Sequence, residues 1–216
     1  MKLLSSFGPN PRMVRMYMLE KGIDIPMQDH DILAGENRKA EFMAKNPSGQ
    51  VPALELDNGT IIGETIAICE YLDELNPDNS LVGENAEERA ISRSWQRRVE
   101  LIITEDRYNS FRYSTGLDLF KNRVHCLPEA AEGLKKRGEL GLDWLDGLIG
   151  GRDFICGNKL RLVDLALYCC LDFTNGVGQP LNPAQKNIDA WFKRMEARPS
   201  AKASLHPGSE QVGMRG

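Results

Sequence analysis

Over residues 1 to about 76, short apolar runs alternate between strand and helix periods. Lys2 to Ser5 has a strand pattern, broken by Gly8-Pro9-Asn10-Pro11. Beyond the break, Met13, Val14, Tyr17 and Met18 share one face of a helix that runs to Lys21 and stops at Gly22. Ile25 to His30 reads as a second strand, and Asn37 to Lys45 as a short helix ended by Asn46-Pro47-Ser48-Gly49. Ala53 to Leu56 and Thr60 to Ile62 flank Asp57-Asn58-Gly59, and Asn-Gly between two apolar runs signals a hairpin. Glu64-Thr65 then opens an apolar helix through Leu72. The order β-α-β-α-β-β-α predicts an α/β domain over residues 1–79, a sheet with helices on its faces.

After Asn76-Pro77-Asp78-Asn79-Ser80 the strand patterns fade. Ala86 to Phe111 is one long helical stretch, and Pro128 suits the first residue of a helix reaching about Leu148. Leu162 to Phe173 is apolar nearly all round, the pattern of a buried helix. Ile188, Trp191, Phe192 and Met195 keep i, i+3, i+4, i+7 spacing in a last helix, which Pro199 is expected to end. Residues 86–206 therefore read as an all-α domain, and 207–216, polar and glycine-rich, as a flexible tail.

Composition narrows the function classes. The chain has 216 residues with 31 acidic against 27 basic side chains, a net charge of −4 that gives no footprint for nucleic acid. The longest apolar run, around Leu165 to Leu171, is far short of the ~20 residues a membrane span needs. Lys2 leads straight into a strand pattern, without the apolar stretch of a signal peptide. Five cysteines (Cys69, Cys126, Cys156, Cys169, Cys170) lack C-x-x-C spacing and read as reduced thiols of a cytoplasmic protein, with no metal site.

The densest chemistry lies in Gly49-Gln50-Val51-Pro52-Ala53-Leu54 and, twelve residues after the proline, Glu64-Thr65. A proline just before a strand run is a place for a cis X-Pro bond. The backbone there can act as an exposed edge, and the helix start at Thr65 can hold a carboxylate. Together they suit a small peptide with an acidic head.

At these residues the chain resembles the cytosolic glutathione transferases, over nearly its whole length. Val51-Pro52 is similar to the family's cis-proline dipeptide, whose first residue pairs through its backbone with the cysteinyl part of glutathione. Glu64-Thr65 resembles the Glu-Ser/Thr pair that holds the γ-glutamyl end. Gly157 to Asp164 resembles the Gly-x-x-x-Ser/Thr-x-x-Asp motif that caps a core helix, with Arg161 in place of the Ser/Thr cap. The resemblance implies a thioredoxin-like N-terminal domain, an all-helical C-terminal domain, glutathione as co-substrate and a homodimer. Thr65 is expected at the helix N-cap, Glu64 against the glutathione ammonium, and Gln50 and Asn37 near the glycyl end. Asp164 is expected to be structural, half of a capping box.

Activation of the sulfur is less plainly written. The positions where serine, cysteine and tyrosine classes of the family carry their donor fall on Gly8 and Leu4. Pro9-Asn10 resembles the Pro-Asn pair of nu-class bacterial proteins, which makes the Asn10 amide the leading thiolate stabiliser, helped by backbone N–H groups of the helix start. An ordinary N-cap role for Asn10, with Pro11 at the first helical position, is the competing reading, and Ser5 and Ser6 are the runners-up. Tyr108, Phe111, Arg112 and Tyr113 lie late in the long helix, where the resemblance implies a pocket for the second substrate, between the domains; aromatic core packing is the competing reading for at least two of them. Phe7, Tyr108, Arg112 and Tyr113 are expected to line that pocket, and the tryptophans read as core. The expected function is conjugation of the glutathione thiolate to a small hydrophobic electrophile. A glutathione-dependent disulfide or peroxide reductase, or a glutathione-binding protein without catalysis, are the alternatives.

Overall fold

The computed structural model describes residues 1–211 and 215–216, in two compact units: Met1–Ser80 with Pro199–Gly216, and Leu81–Arg198. In the first, β1 (Lys2–Ser5), α1 (Pro9–Lys21), β2 (Met27–Asp29), α2 (Ala40–Lys45), β3 (Ala53–Glu55), β4 (Ile61–Ile62) and α3 (Thr65–Leu75) follow the expected α/β order. The four strands lie in the order β2-β1-β3-β4, with β1–β2 parallel and the other two pairs antiparallel. This is a thioredoxin-like sheet.

Local sequence explains the boundaries. Gly22 takes the left-handed conformation at φ 65, and the Ile23 N–H returns to Met18 O at 2.9 Å, so α1 stops where glycine permits it. Gly59, at φ 84, closes the β3–β4 hairpin, where the Leu56 N–H meets Thr60 O at 2.9 Å. Strand alternation divides the core. Leu3 and Leu54, paired across β1–β3, are buried along with Val14, Tyr17, Ile68 and Leu72 of the helices. Leu4, Ala53 and Phe42 of α2 form a second cluster, against which Val51 and Ile61 pack.

The ends of α1 and α3 are tied by a buried polar knot. Asp73 accepts from the Tyr17 hydroxyl at 3.1 Å and from Ser80, and its carboxylate lies 3.2 Å from Lys21 Nζ. That ammonium also donates to the carbonyls of Asn76, Asp78 and Asn79.

The second unit is helical: α4 (Ala86–Val99), α5 (Glu105–Tyr113), α6 (Leu117–Phe120), α7 (Ala131–Asp146), α8 (Leu162–Gly176) and α9 (Lys186–Glu196). The expected long helix is α4 and α5 joined through Glu100–Thr104 by a wider turn, in which the Glu105 N–H bonds to Glu100 O. Gly141 of α7 packs against this turn; a Cβ there would stand 2.2 Å from Ile102 O. Helix α8 is buried along most of its length, as its pattern predicts.

Arg161 stands at the cap of α8 and, lacking an acceptor, leaves its half of the box unmade. Its guanidinium pairs instead with Glu88 at 2.7 Å. The Asp164 half is intact: the carboxylate accepts from the N–H groups of Arg161 and Ile155 and from Trp191 Nε1, each at 2.9 Å. Burial outweighs these three bonds and raises the Asp164 pKa to about 6.

Two expectations change at the C-terminal side. Pro199 does not merely end a helix; it is the first residue of α10 (Pro199–Ala203), because the preceding helix already stops at Glu196. Residues 199–206, expected with the helical domain, group with the first unit instead, held by Arg12, whose buried guanidinium donates to Ala201 O at 2.9 Å. Within the expected tail 207–216, Gly208–Gln211 forms α11, and residues 212–214 lie outside the described residues. No helix among the described residues is long and apolar enough to cross a membrane.

Candidate functional site

The sheet registers bring several segments to one end of the first unit. Leu4 faces Ala53 and Leu54 faces Ile62. The end of β1, the start of β3 and the end of β4 therefore lie at one end of the sheet.

The start of α3 is left open. Glu64, not Thr65, occupies the N-cap, and Thr65 is the first helical residue. No side chain caps the helix, and its first internal bond runs from the Ile68 N–H to Glu64 O at 3.0 Å. The N–H groups of Thr65, Ile66 and Ala67 thus have no partner among the described residues, and the dipole adds positive character there. Glu64 is exposed and holds φ 63, ψ 122, a conformation that costs a non-glycine residue about 1–3 kcal/mol. Strain of this kind persists where the surroundings impose it.

Val51 precedes a cis peptide bond to Pro52. Its backbone N–H and C=O have no partner among the described residues, which leaves an unpaired edge. The supporting loop is well tied: Asn46 donates to Gln50 O at 2.8 Å and Asn37 to Gly49 O at 2.7 Å. Asn37 is buried; its Nδ2 is spent on this loop, while its Oδ1 is buried without a partner among the described residues. Gln50 is exposed at the loop's outer side.

At the start of α1, Gly8 is the N-cap at φ 118, Pro9 the first helical residue and Asn10 the second. Asn10 is therefore not the N-cap, and Pro11 is not at the first helical position. The backbone at Gly8 is one that L side chains rarely adopt, which explains why no serine or cysteine stands there. The expected array of backbone donors is reduced to one. Pro9 and Pro11 have no N–H, and that of Arg12 bonds to Gly8 O at 3.1 Å. The Asn10 N–H and side-chain amide have no partner among the described residues, and the residue is half-buried.

Ser5 and Ser6 are both buried. Ser6 donates its hydroxyl to His30 O at 2.8 Å, and Ser5 Oγ accepts from Arg15 at 3.1 Å. Arg15, which sequence reasoning passed over, also donates to the carbonyls of Ser6 and Ser204. It holds the loop through long-range partners that no local pattern announces. Phe7 is half-buried, its ring centroid 6.5 Å from that of His206. Gly216 lies against Gly8, close enough that a Cβ on it would meet Gly8 Cα at 2.6 Å.

In the second unit, Tyr108, Arg112 and Tyr113 lie on α5, all half-buried. The Tyr108 hydroxyl pairs with Cys170, and burial pushes its pKa well above the ordinary value. Cys170 itself is raised to about 12 by burial. Tyr108 can offer a ring face, but its proton is committed inward. Phe111 is core, edge-on to Phe173 at 4.9 Å. All five cysteines are free, and no group of three or more His, Cys, Asp or Glu suited to a metal occurs among the described residues.

Comparison with known proteins bears on both units. Residues 7–75 match the family model for the glutathione S-transferase N-terminal domain, and residues 125–199 that for the C-terminal domain. Glutathione S-transferase 2 of Saccharomyces cerevisiae is 32% identical over 92% of this chain and 86% of its own length. The crystal structure of Gtt2 from Saccharomyces cerevisiae superposes with a TM-score of 0.87 at 30% identity, covering 95% of this chain and all of that one. A glutathione S-transferase domain-containing protein from Marinobacter aquaeolei gives the same TM-score at 31% identity, over 93% of this chain and all of its own.

Proposed function

Since the chain belongs to the glutathione S-transferase family, we propose that it binds glutathione at this sheet end and conjugates its thiolate to small hydrophobic electrophiles. One observation carries the reading: the uncapped start of α3, with three unbonded N–H groups beside the strained, exposed Glu64. A permanent carboxylate suits those donors, and an ammonium suits Glu64. Here the γ-glutamyl end carries both charges. Thr65 adds its hydroxyl, the Val51 edge takes the cysteinyl backbone as an added strand would, and Pro52 fixes that edge. Gln50 lies towards the glycyl end, with Asn37 supporting the loop.

Asn10 is the group proposed to stabilise the sulfur, because Ser5 and Ser6 are buried and bonded elsewhere. In the reaction the thiol proton leaves to solvent, the sulfur lone pair forms the bond to carbon, and the leaving group departs with its electron pair. Tyr108, Arg112, Tyr113 and Phe7 are proposed to meet the electrophile. The family resemblance supports a homodimer, and the free cysteines suit a reducing cytoplasm.

Calorimetry with glutathione tests the binding half. Thr65→Ala should weaken binding by about 1.5–3 kcal/mol, the value of a hydrogen bond to a charged group. An unaltered dissociation constant would remove α3 from the site. Parallel rates with an aryl halide and with a mixed disulfide separate conjugation from reduction, and conjugation is the expected dominant activity.

A further inference from the structure

Between α2 and the sheet, the first unit has an open cavity of about 300 Å³, the low end of the range for small-molecule sites. None of Asn10, Val51, Glu64 or Thr65 lines it. Its floor is apolar, made by the buried side chains of Leu4 and Phe42. His30, one residue beyond β2, stands edge-on to Phe42, with ring centroids 5.0 Å apart at 77°. The His30 Nε2 is buried and has no partner among the described residues. That nitrogen can give or take a hydrogen bond, and leaving it unmet costs free energy.

Two lysines and three glutamates surround this floor. Lys45 and Glu55 neutralise each other at 3.0 Å, and Lys2 lies 3.3 Å from the same carboxylate. Glu36 accepts from the Asp31 N–H at 2.8 Å and keeps its charge. Lys39 and Glu41 have neither an ion pair nor a side-chain hydrogen bond among the described residues. They stand two residues apart where α2 begins, a spacing at which helical side chains do not face each other, so they do not cancel. The cavity thus offers Lys39 and the His30 nitrogen to an anionic group, and Glu41 with Glu36 to a cationic one. A purely anionic ligand would meet an excess of one glutamate, and a simple amine would leave Lys39 unmatched. We propose that this cavity binds a free α-amino acid with an apolar side chain, its two charged groups at the rim and its side chain on Leu4 and Phe42. The Phe42 and His30 rings favour an aromatic one. The inference does not depend on the glutathione reading.

The test is an NMR titration of the full chain with L-phenylalanine and two analogues: phenethylamine, which lacks the carboxylate, and 3-phenylpropionate, which lacks the ammonium. The chain has three histidines, so the ring signals of His30 report the site against His125 and His206. L-Phenylalanine should shift the His30 ring and leave the other two in place. It should bind about threefold tighter or more than either analogue, the modest gain expected of exposed charges. Lys39 and Glu41 are exposed, so substituting them leaves the fold intact. In Lys39→Gln the advantage over phenethylamine should drop towards one, and in Glu41→Gln the advantage over 3-phenylpropionate should do the same. An unmoved His30 ring, equal affinities for the three compounds, or a ratio unchanged in either variant would overturn the proposal. Displacement by glutathione would also overturn it, because the cavity would then belong to the tripeptide site.

Discussion

Replacing Asn10 by alanine probes activation at the point where the helix start is poorest in donors. Pro9 and Pro11 carry no N–H, and the Arg12 N–H is bonded to Gly8 O. Two donors remain, the backbone N–H and side-chain amide of Asn10, and the substitution removes only the second. A hydrogen bond to a charged group contributes about 1.5–3 kcal/mol, and about 1.4 kcal/mol corresponds to one pKa unit. The bound thiol should therefore titrate about 1–2 units higher in the variant. The sign is fixed by which form the amide favours: on the proposed reading it bonds the thiolate, so its loss should leave less thiolate at neutral pH and slow conjugation there. Well above the shifted pKa both proteins hold thiolate fully, and their rates should converge. Ultraviolet absorbance of the bound thiolate, followed against pH, measures the shift directly, and the pH profile of the rate measures it independently. If both curves superimpose on wild type, the Asn10 side chain does not reach the sulfur.

Two further substitutions separate strain and burial from binding. Glu64→Gly should stabilise the first unit by about 0.5–2 kcal/mol, because relief of the positive φ, about 1–3 kcal/mol, exceeds the 0.5–1 kcal/mol of added chain entropy. The same variant should bind glutathione more weakly; denaturant melts and calorimetry read the two effects, and a destabilised variant would mean that the turn is not strained. Asp164→Ala should destabilise the helical unit by leaving three buried donors unpaired, at about 1–3 kcal/mol each. Its native pKa of about 6 lies above the ordinary 3.8, so the folded state takes up the proton first and the group's contribution falls as pH rises from about 4 to about 6. The gap between wild type and Asp164→Ala should therefore shrink by about 2 kcal/mol between pH 4 and pH 7, and a gap that widens with pH would refute the assignment.

The alternation of Leu3 and Leu4, the Asn58-Gly59 turn and the glycine stop at Gly22 made the sheet and its helices readable, because each acts through neighbours in the chain. The opening of α3 was readable to within one residue: a helix had to begin at Glu64-Thr65, but which of them takes the cap depends on a backbone conformation that composition does not encode. Ser6 looked like a free hydroxyl until its distant partner, His30 O, came into view. Arg161 looked like a flaw in a capping motif, yet Glu88 gives its charge a place. Arg15 and Arg12 escaped notice for the same reason, since their acceptors lie at Ser204 and Ala201 on the far side of the sequence. What local pattern conveys is where elements begin and end. Which hydroxyl or guanidinium is already spoken for is a property of the fold.

The two helix starts at the proposed site differ in a way that matches the two charges they would meet. The start of α3 has three unbonded N–H groups and suits a carboxylate that is charged at every physiological pH. The start of α1, stripped by two prolines, has one backbone donor and one amide, and on the proposed reading it meets a thiol whose charge is conditional. A richer set of donors would lower the thiol pKa further but would also hold the electron pair more tightly. Nucleophilicity falls as thiol pKa falls, and the best attacking thiol has a pKa near the ambient pH. On the proposed reading, Pro9 and Pro11 would limit stabilisation to the modest amount that serves attack, and α3 would carry the affinity. The same division explains why loss of Thr65 should show in binding and loss of Asn10 in the pH profile.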